Sequence, residues 1–101
     1  MMDRLWTDQG LESLTTLREM VFYENICQLK KWGVQERSPF EWMAYLTEEV
    51  GELAQAISEM VYRDGSHKDI VDEAIQVATL ALKIAEMAQD ERESLLASRN
   101  P

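Results

Sequence analysis

Apolar residues recur at helical spacing in three successive stretches of this chain, separated by short polar breaks. The first begins near Leu11 and passes through Leu14, Leu17 and Val21, drifting to Phe22, Ile26 and Leu29. It predicts a helix that ends near Lys30-Lys31, where lysines suit the negative end of the dipole, with Gly33 beyond as a stop. Residues 1–10 show no clear periodicity and are expected to be an irregular lead-in. After the polar connection around Trp32 to Arg37 comes Ser38-Pro39-Phe40-Glu41, a start signal. Serine caps, proline takes the first helical position, and glutamate three residues on completes a capping box. The second helix is expected over 39–62, roughly 36 Å long at 1.5 Å per residue, and Asp64-Gly65 ends it. Ser66-His67-Lys68-Asp69 repeats the capping arrangement and opens a third helix, expected to reach about Gln89. From Asp90 the chain is charged, and the expectation is a frayed tail with a short helix at most through Leu95 and Leu96.

The third stretch differs from the others. Ile70, Val71, Ala74, Ile75, Val77, Ala78, Leu80, Ala81, Leu82, Ile84 and Ala85 cover nearly its whole circumference. A helix of that kind is buried on more than one side, and a chain of 101 residues has little else to bury it with. The expectation is a single all-α domain over 1–101 whose helical bundle is completed by a second copy of itself.

Composition narrows the partners. Hydrophobic residues make up 46%, with only two prolines and four glycines among them, in keeping with a helical chain. A net charge of −9 argues against a nucleic-acid surface and against an acidic membrane face. An acidic protein that handles phosphates needs metal ions to bridge the like charges. No apolar run approaches the ~18 residues of a membrane span, and no leader pattern is present, so a cytoplasmic setting is expected. Cys27 is the sole cysteine and cannot form an internal disulfide; a helix-interior thiol is expected to be core filler in a reducing compartment.

The chemistry concentrates in Leu46-Thr47-Glu48-Glu49-Val50-Gly51-Glu52-Leu53-Ala54-Gln55-Ala56-Ile57. Glu52 lies one turn along from both Glu48 and Glu49, so their side chains share a patch while Leu46, Val50, Leu53 and Ile57 face a core. Clustered carboxylates on a half-apolar helix repel one another unless a cation neutralises them, and a hard divalent ion with oxygen ligands answers that need. The bland alternative is a solvated acidic face. On the third helix Asp69, Asp72, Glu73 and Gln76 form a second polar stripe. If the second and third helices fold back at Asp64-Gly65, Glu52 stands about 19 Å from the turn, Gln76 about 17 Å and Glu73 about 13 Å. Asp69, about 7 Å from it, fits a capping role better.

Glu48-Glu49-Val50-Gly51-Glu52, followed after 20 residues by Glu73-Ala74-Ile75-Gln76, resembles the MazG-like family of nucleoside triphosphate pyrophosphohydrolases. Lys31-Trp32-Gly33-Val34-Gln35 ahead of the capped helix is similar to small phage-type and mobile-element members, and the resemblance spans about 30–88. It implies magnesium-dependent hydrolysis of a nucleoside triphosphate to the monophosphate and pyrophosphate, with manganese as a substitute ion, in a homodimer or homotetramer. Position by position, it implies that Glu49, Glu52, Glu73 and Gln76 hold magnesium, and that Glu48 binds another ion or orients the attacking water beside Glu49. Gln76 stands where the family has aspartate. Either Asp72 supplies the missing carboxylate, or the register shifts to Asp69 and Asp72, or the site is weak. Lys83, two turns beyond Gln76, meets a phosphate or is a solvated lysine; Trp32 and Trp42 stack on a base or seal a helix end. His67 reads as a solvated residue beside a cap. Phosphoribosyl-ATP pyrophosphohydrolase and dimeric dUTPase activities share the implied fold, and a non-catalytic helical adaptor stands as the alternative of another class.

Overall fold

Local capping chemistry sets the helix boundaries. The computed structural model describes residues 8–99, which form three α-helices: α1 Asp8–Trp32, α2 Pro39–Tyr62 and α3 His67–Arg99. No strand occurs among the described residues, so the all-α class stands. The helices fall into two compact units, 1–35 and 36–101.

In the first unit α1 begins at Asp8, earlier than the periodicity indicates; the remainder of the expected lead-in, 1–7, lies outside the described residues. Lys30 and Lys31 occupy its last turn. Gly33 then takes a left-handed φ of 71° while its N–H donates to the Leu29 carbonyl at 2.8 Å. A glycine meets that stop without steric strain. Cys27 is exposed rather than buried. Helical spacing shows which residues share a face but not what covers the face.

The second unit is an antiparallel hairpin in which α2 packs on α3. Ser38 Oγ accepts from the Glu41 N–H at 3.2 Å, and Glu41 Oε1 accepts from the Ser38 N–H at 3.2 Å, with Pro39 at the first helical position. At the turn, the N–H groups of Arg63 and Gly65 both donate to the Glu59 carbonyl, at 2.8 and 2.9 Å, around Asp64 at a φ of 56°. Gly65 passes so close to the end of α2 that a β-carbon there would sit 2.9 Å from Glu59 and Met60 backbone atoms. Any other residue has to push the turn open. Ser66 Oγ then accepts from the Asp69 N–H at 3.0 Å and caps α3.

Two expectations for α3 are corrected. It runs unbroken to Arg99 instead of giving way to a frayed tail at Asp90. No proline or glycine interrupts 66–99, and Glu, Arg, Leu and Ala are good helix formers. Nor is it buried all round within one chain: Ile75, Thr79 and Leu80 are buried, while Val71 and Leu82 stay exposed. Among the described residues the buried apolar core is Trp42, Ile75 and Leu80.

No helix of the described residues is long and apolar enough to cross a membrane.

Candidate metal centre

The hairpin sets the level of every polar side chain. A symmetric turn at Asp64-Gly65 would leave Glu73 about 6 Å nearer the turn than Glu52, yet the packing of α2 on α3 brings the two together, and Glu49 lies one turn from Glu52 on the same side. One carboxylate oxygen from each of Glu49, Glu52 and Glu73 lies within 4.8 Å of the others. Glu49 and Glu73 are half-buried and Glu52 is exposed. As carboxylates, Glu49 Oε2 and Glu73 Oε2 are shielded from solvent and accept no hydrogen bond.

That crowding holds a proton. Burial pushes the Glu49 carboxyl up to about 7 from an ordinary 4.5, helped by its hydrogen bond to Glu73 and by the charge of Glu52. Desolvation and like charge act in the same direction here, since both disfavour the ionised form.

The donor set fits a hard divalent ion. All three ligating atoms are carboxylate oxygens, the kind that magnesium and manganese prefer. Octahedral coordination at about 2.1 Å places oxygens roughly 3 Å apart at right angles and roughly 4.2 Å apart across the ion. Oxygens already within 4.8 Å of one another need only a small contraction. The two shielded, donorless oxygens are what a cation would satisfy.

The remaining expected residues are placed as follows. Glu48 is exposed and outside the converging group. Asp72 is engaged by Lys68, whose Nζ donates to Oδ2 at 2.6 Å one turn away, so its carboxylate is held on α3 and does not join the triad. Asp69 donates its backbone N–H to the capping Ser66 Oγ, and its carboxylate too is outside the group. Gln76, half-buried, lies one turn beyond Glu73. His67 is exposed at the first position of α3. Trp32 closes α1 with its ring 4.6 Å from Lys31 Nζ and is 54% exposed. Trp42, by contrast, is 6% exposed and seals the open end of the hairpin. Lys83 is half-buried, with Nζ 5.8 Å from the Trp42 ring. Sequence pattern does not single out Arg37, yet its guanidinium lies 6.0 Å from the same ring and 4.9 Å from that of Tyr45. The signal was spacing alone: Arg37, Glu41 and Tyr45 follow at four-residue intervals.

Fold and cluster together define a helical hairpin with three carboxyl groups converging in its seam, a set that could hold a cation. Compared with protein-family models, curated proteins and solved structures, the chain matches none.

The raised Glu49 pKa yields a pH dependence. The folded chain keeps a proton that the unfolded chain releases between pH 4.5 and about 7. The group therefore contributes stability that is full below pH 4.5 and lost as pH rises through about 7. Metal-free wild type should show this fall in melting temperature, and Glu49→Gln, which carries no titrating group, should lack that part of it. Magnesium should bind with affinity rising up to about tenfold per pH unit below pH 7, because one proton must leave. Calorimetry in buffers of different ionisation heat counts that proton.

Proposed function

We propose that this chain is a magnesium-dependent nucleoside triphosphate pyrophosphohydrolase, most readily of deoxynucleotides, which clears nucleotides from the cytoplasmic pool as a homodimer or homotetramer. The observation that carries this reading is the convergence of Glu49, Glu52 and Glu73 from two helices, with two of their oxygens shielded and donorless. The resemblance of Glu48-Glu49-Val50-Gly51-Glu52 and its partner stripe to MazG-like enzymes supports it. Net charge of −9 fits as well, since polyphosphate reaches such a surface only with cations present.

Magnesium, when bound, offsets the charge of the phosphate chain and makes the attacked phosphorus more electrophilic. Glu49, Glu52 and Glu73 would hold it, and Gln76 would add a neutral amide oxygen. Glu48, exposed one residue before Glu49, orients the attacking water and takes its proton. The water oxygen bonds to the α-phosphorus while the bond to the bridging oxygen breaks, and pyrophosphate leaves. Positioning and charge stabilisation do most of the work in such transfers, so no covalent nucleophile is required.

The test is pyrophosphate release with magnesium across a panel of ribo- and deoxynucleoside triphosphates, with phosphoribosyl-ATP and dUTP included. No release from any of them, together with no magnesium binding, would leave the adaptor reading.

Gln76 offers a finer check. Gln76→Asp restores a charged ligand at the position where MazG-like enzymes carry aspartate, and should tighten magnesium binding by about 1–3 kcal/mol, the range of one charge-assisted contact. Asp72→Asn, by contrast, should leave magnesium affinity near wild type, because that carboxylate is committed to Lys68. Strong loss in Asp72→Asn would return Asp72 to the ligand set.

A further inference from the structure

The open side of α2 carries two lengthwise rows that fit one another when the helix is turned end for end. Trp42, Leu46, Glu49, Leu53, Ala56 and Met60, alternately four and three residues apart, form its buried and half-buried side. The open side holds Met43, Val50 and Ile57, one heptad apart and 53%, 47% and 44% exposed. Beside each stands a small residue, in turn Ala44, Gly51 and Ser58, all exposed. Thr47 and Ala54, also exposed, lie between the two rows. No charge falls among these positions, although Glu41, Glu48, Glu49, Glu52 and Glu59 lie on the same helix.

Two copies of Pro39–Tyr62 overlapped antiparallel along their whole length set Pro39 opposite Tyr62. Counting inward from there, Met43 faces Ser58, Val50 faces Gly51 and Ile57 faces Ala44. Thr47 faces Ala54 on the line between the helices. Each bulky side chain meets a small one, and two-fold symmetry makes every contact twice. Large against small is what lets two helices interlock. A parallel overlap would instead set Met43 on Met43 and Gly51 on Gly51, bulk on bulk and gap on gap.

Gly51 is an independent sign of the same contact. Among the described residues, a β-carbon there would meet nothing within 4 Å, and its φ is not left-handed. Nothing within one chain therefore asks for glycine, which weakens a helix interior relative to alanine. The midpoint of α2 falls between Val50 and Gly51, where a second backbone would come closest.

We propose that α2 packs antiparallel against α2 of a second copy of this chain, in full overlap and centred on Gly51. The pairing does not depend on what the carboxylates bind. Glu49 and Glu52 lie about 140–160° around the helix from Thr47, so the carboxylate seam stays open.

The experiment uses the full chain in sedimentation at micromolar concentration, with circular dichroism on the same samples. Wild type should be at least a dimer. Gly51→Leu and Ile57→Glu should each raise the dissociation constant at least about 100-fold, by overfilling the crossing or by bringing like charges into a closed seam. Gly51→Ala should raise it about tenfold although alanine favours the helix, whereas on an open surface it would leave assembly unchanged. Helix content and magnesium affinity per chain should stay near wild type in all three. Cysteine mapping reads the same contact without breaking it. In a Cys27→Ser background, Val50→Cys should link to its own copy on oxidation, because Val50 lies beside the two-fold axis. Met43→Cys should not, since its two copies stand about 22 Å apart, but it should link to Ser58→Cys when the two variants are mixed. A monomeric wild type overturns the proposal, as does an assembly that Gly51→Leu and Ile57→Glu leave intact. Met43→Cys linking to its own copy as readily as Val50→Cys overturns the antiparallel order. With Cys27 retained, a link from Val50→Cys to Cys27 in place of its own copy gives the face to α1 and overturns the pairing too. Absence of magnesium binding alone brings down the metal reading and leaves this contact standing.

Discussion

Glu52→Gln should abolish magnesium binding and pyrophosphate release while the chain keeps its helices. Glu52 is the exposed member of the triad, so the substitution disturbs little packing. It does remove one of three carboxyl groups that converge within 4.8 Å. Outer-shell partners of metal ligands are worth 10–100-fold, so loss of a direct ligand should reduce affinity at least about 100-fold. Metal-free, the same variant should melt no lower than wild type, because the Glu52 charge is one of the causes that hold Glu49 protonated. Magnesium titration and thermal melting on one preparation check both halves. Wild-type turnover by Glu52→Gln would place the chemistry elsewhere.

Self-association is the second large effect expected. Among the described residues three buried apolar side chains, worth about 1.5–3 kcal/mol each, are a thin core, and many other apolar side chains are exposed. Val71 and Leu82 lie eleven residues apart, three turns along one side of α3, and are 38% and 55% exposed. Met43, Val50, Ile57 and Val61 are exposed on α2 as well. A dimer or tetramer should therefore be the species seen by sedimentation at micromolar concentration. Leu82→Glu separates the cases. On a true monomer surface it should change stability by no more than about 0.5 kcal/mol, whereas in a covered interface it should cost at least about 2 kcal/mol and release monomers. A stable, folded monomer in wild type would count against the assembly.

The hairpin was largely readable because its signals are local. Ser38-Pro39-Phe40-Glu41 and Ser66 bond to their own first turns, and Asp64-Gly65 fixes the turn from which levels along both helices follow. Counting from it puts Glu52 across from Gln76 and Glu73, and the structure brings it to Glu73. What spacing could not show is which of several neighbours a side chain chooses. Asp72 shares its stripe with Glu73 and Gln76, but Lys68 one turn back reaches it first. Arg37 sits in what reads as a polar connection, and only the packing of Trp42 reveals what it faces. Cys27 shows the same limit on α1, where apolar periodicity gave a face without its cover. The end of α3 departs from expectation for another reason: a charged stretch suggests fraying, whereas Glu and Arg extend a helix well.

That extension has a consequence for how order is distributed. With Glu52 level with Glu73, Pro39 stands opposite about residue 86, and α3 continues roughly 20 Å past the start of α2. A segment of about 13 residues nucleates poorly alone in water, because fixing the first turn is unfavourable and each later residue only propagates it. The turns beyond Met87 therefore inherit their helix from the paired half, growing outward from Ile75 and Leu80. Truncation at Asp90 would remove residues that borrow order, and the hairpin that lends it would remain.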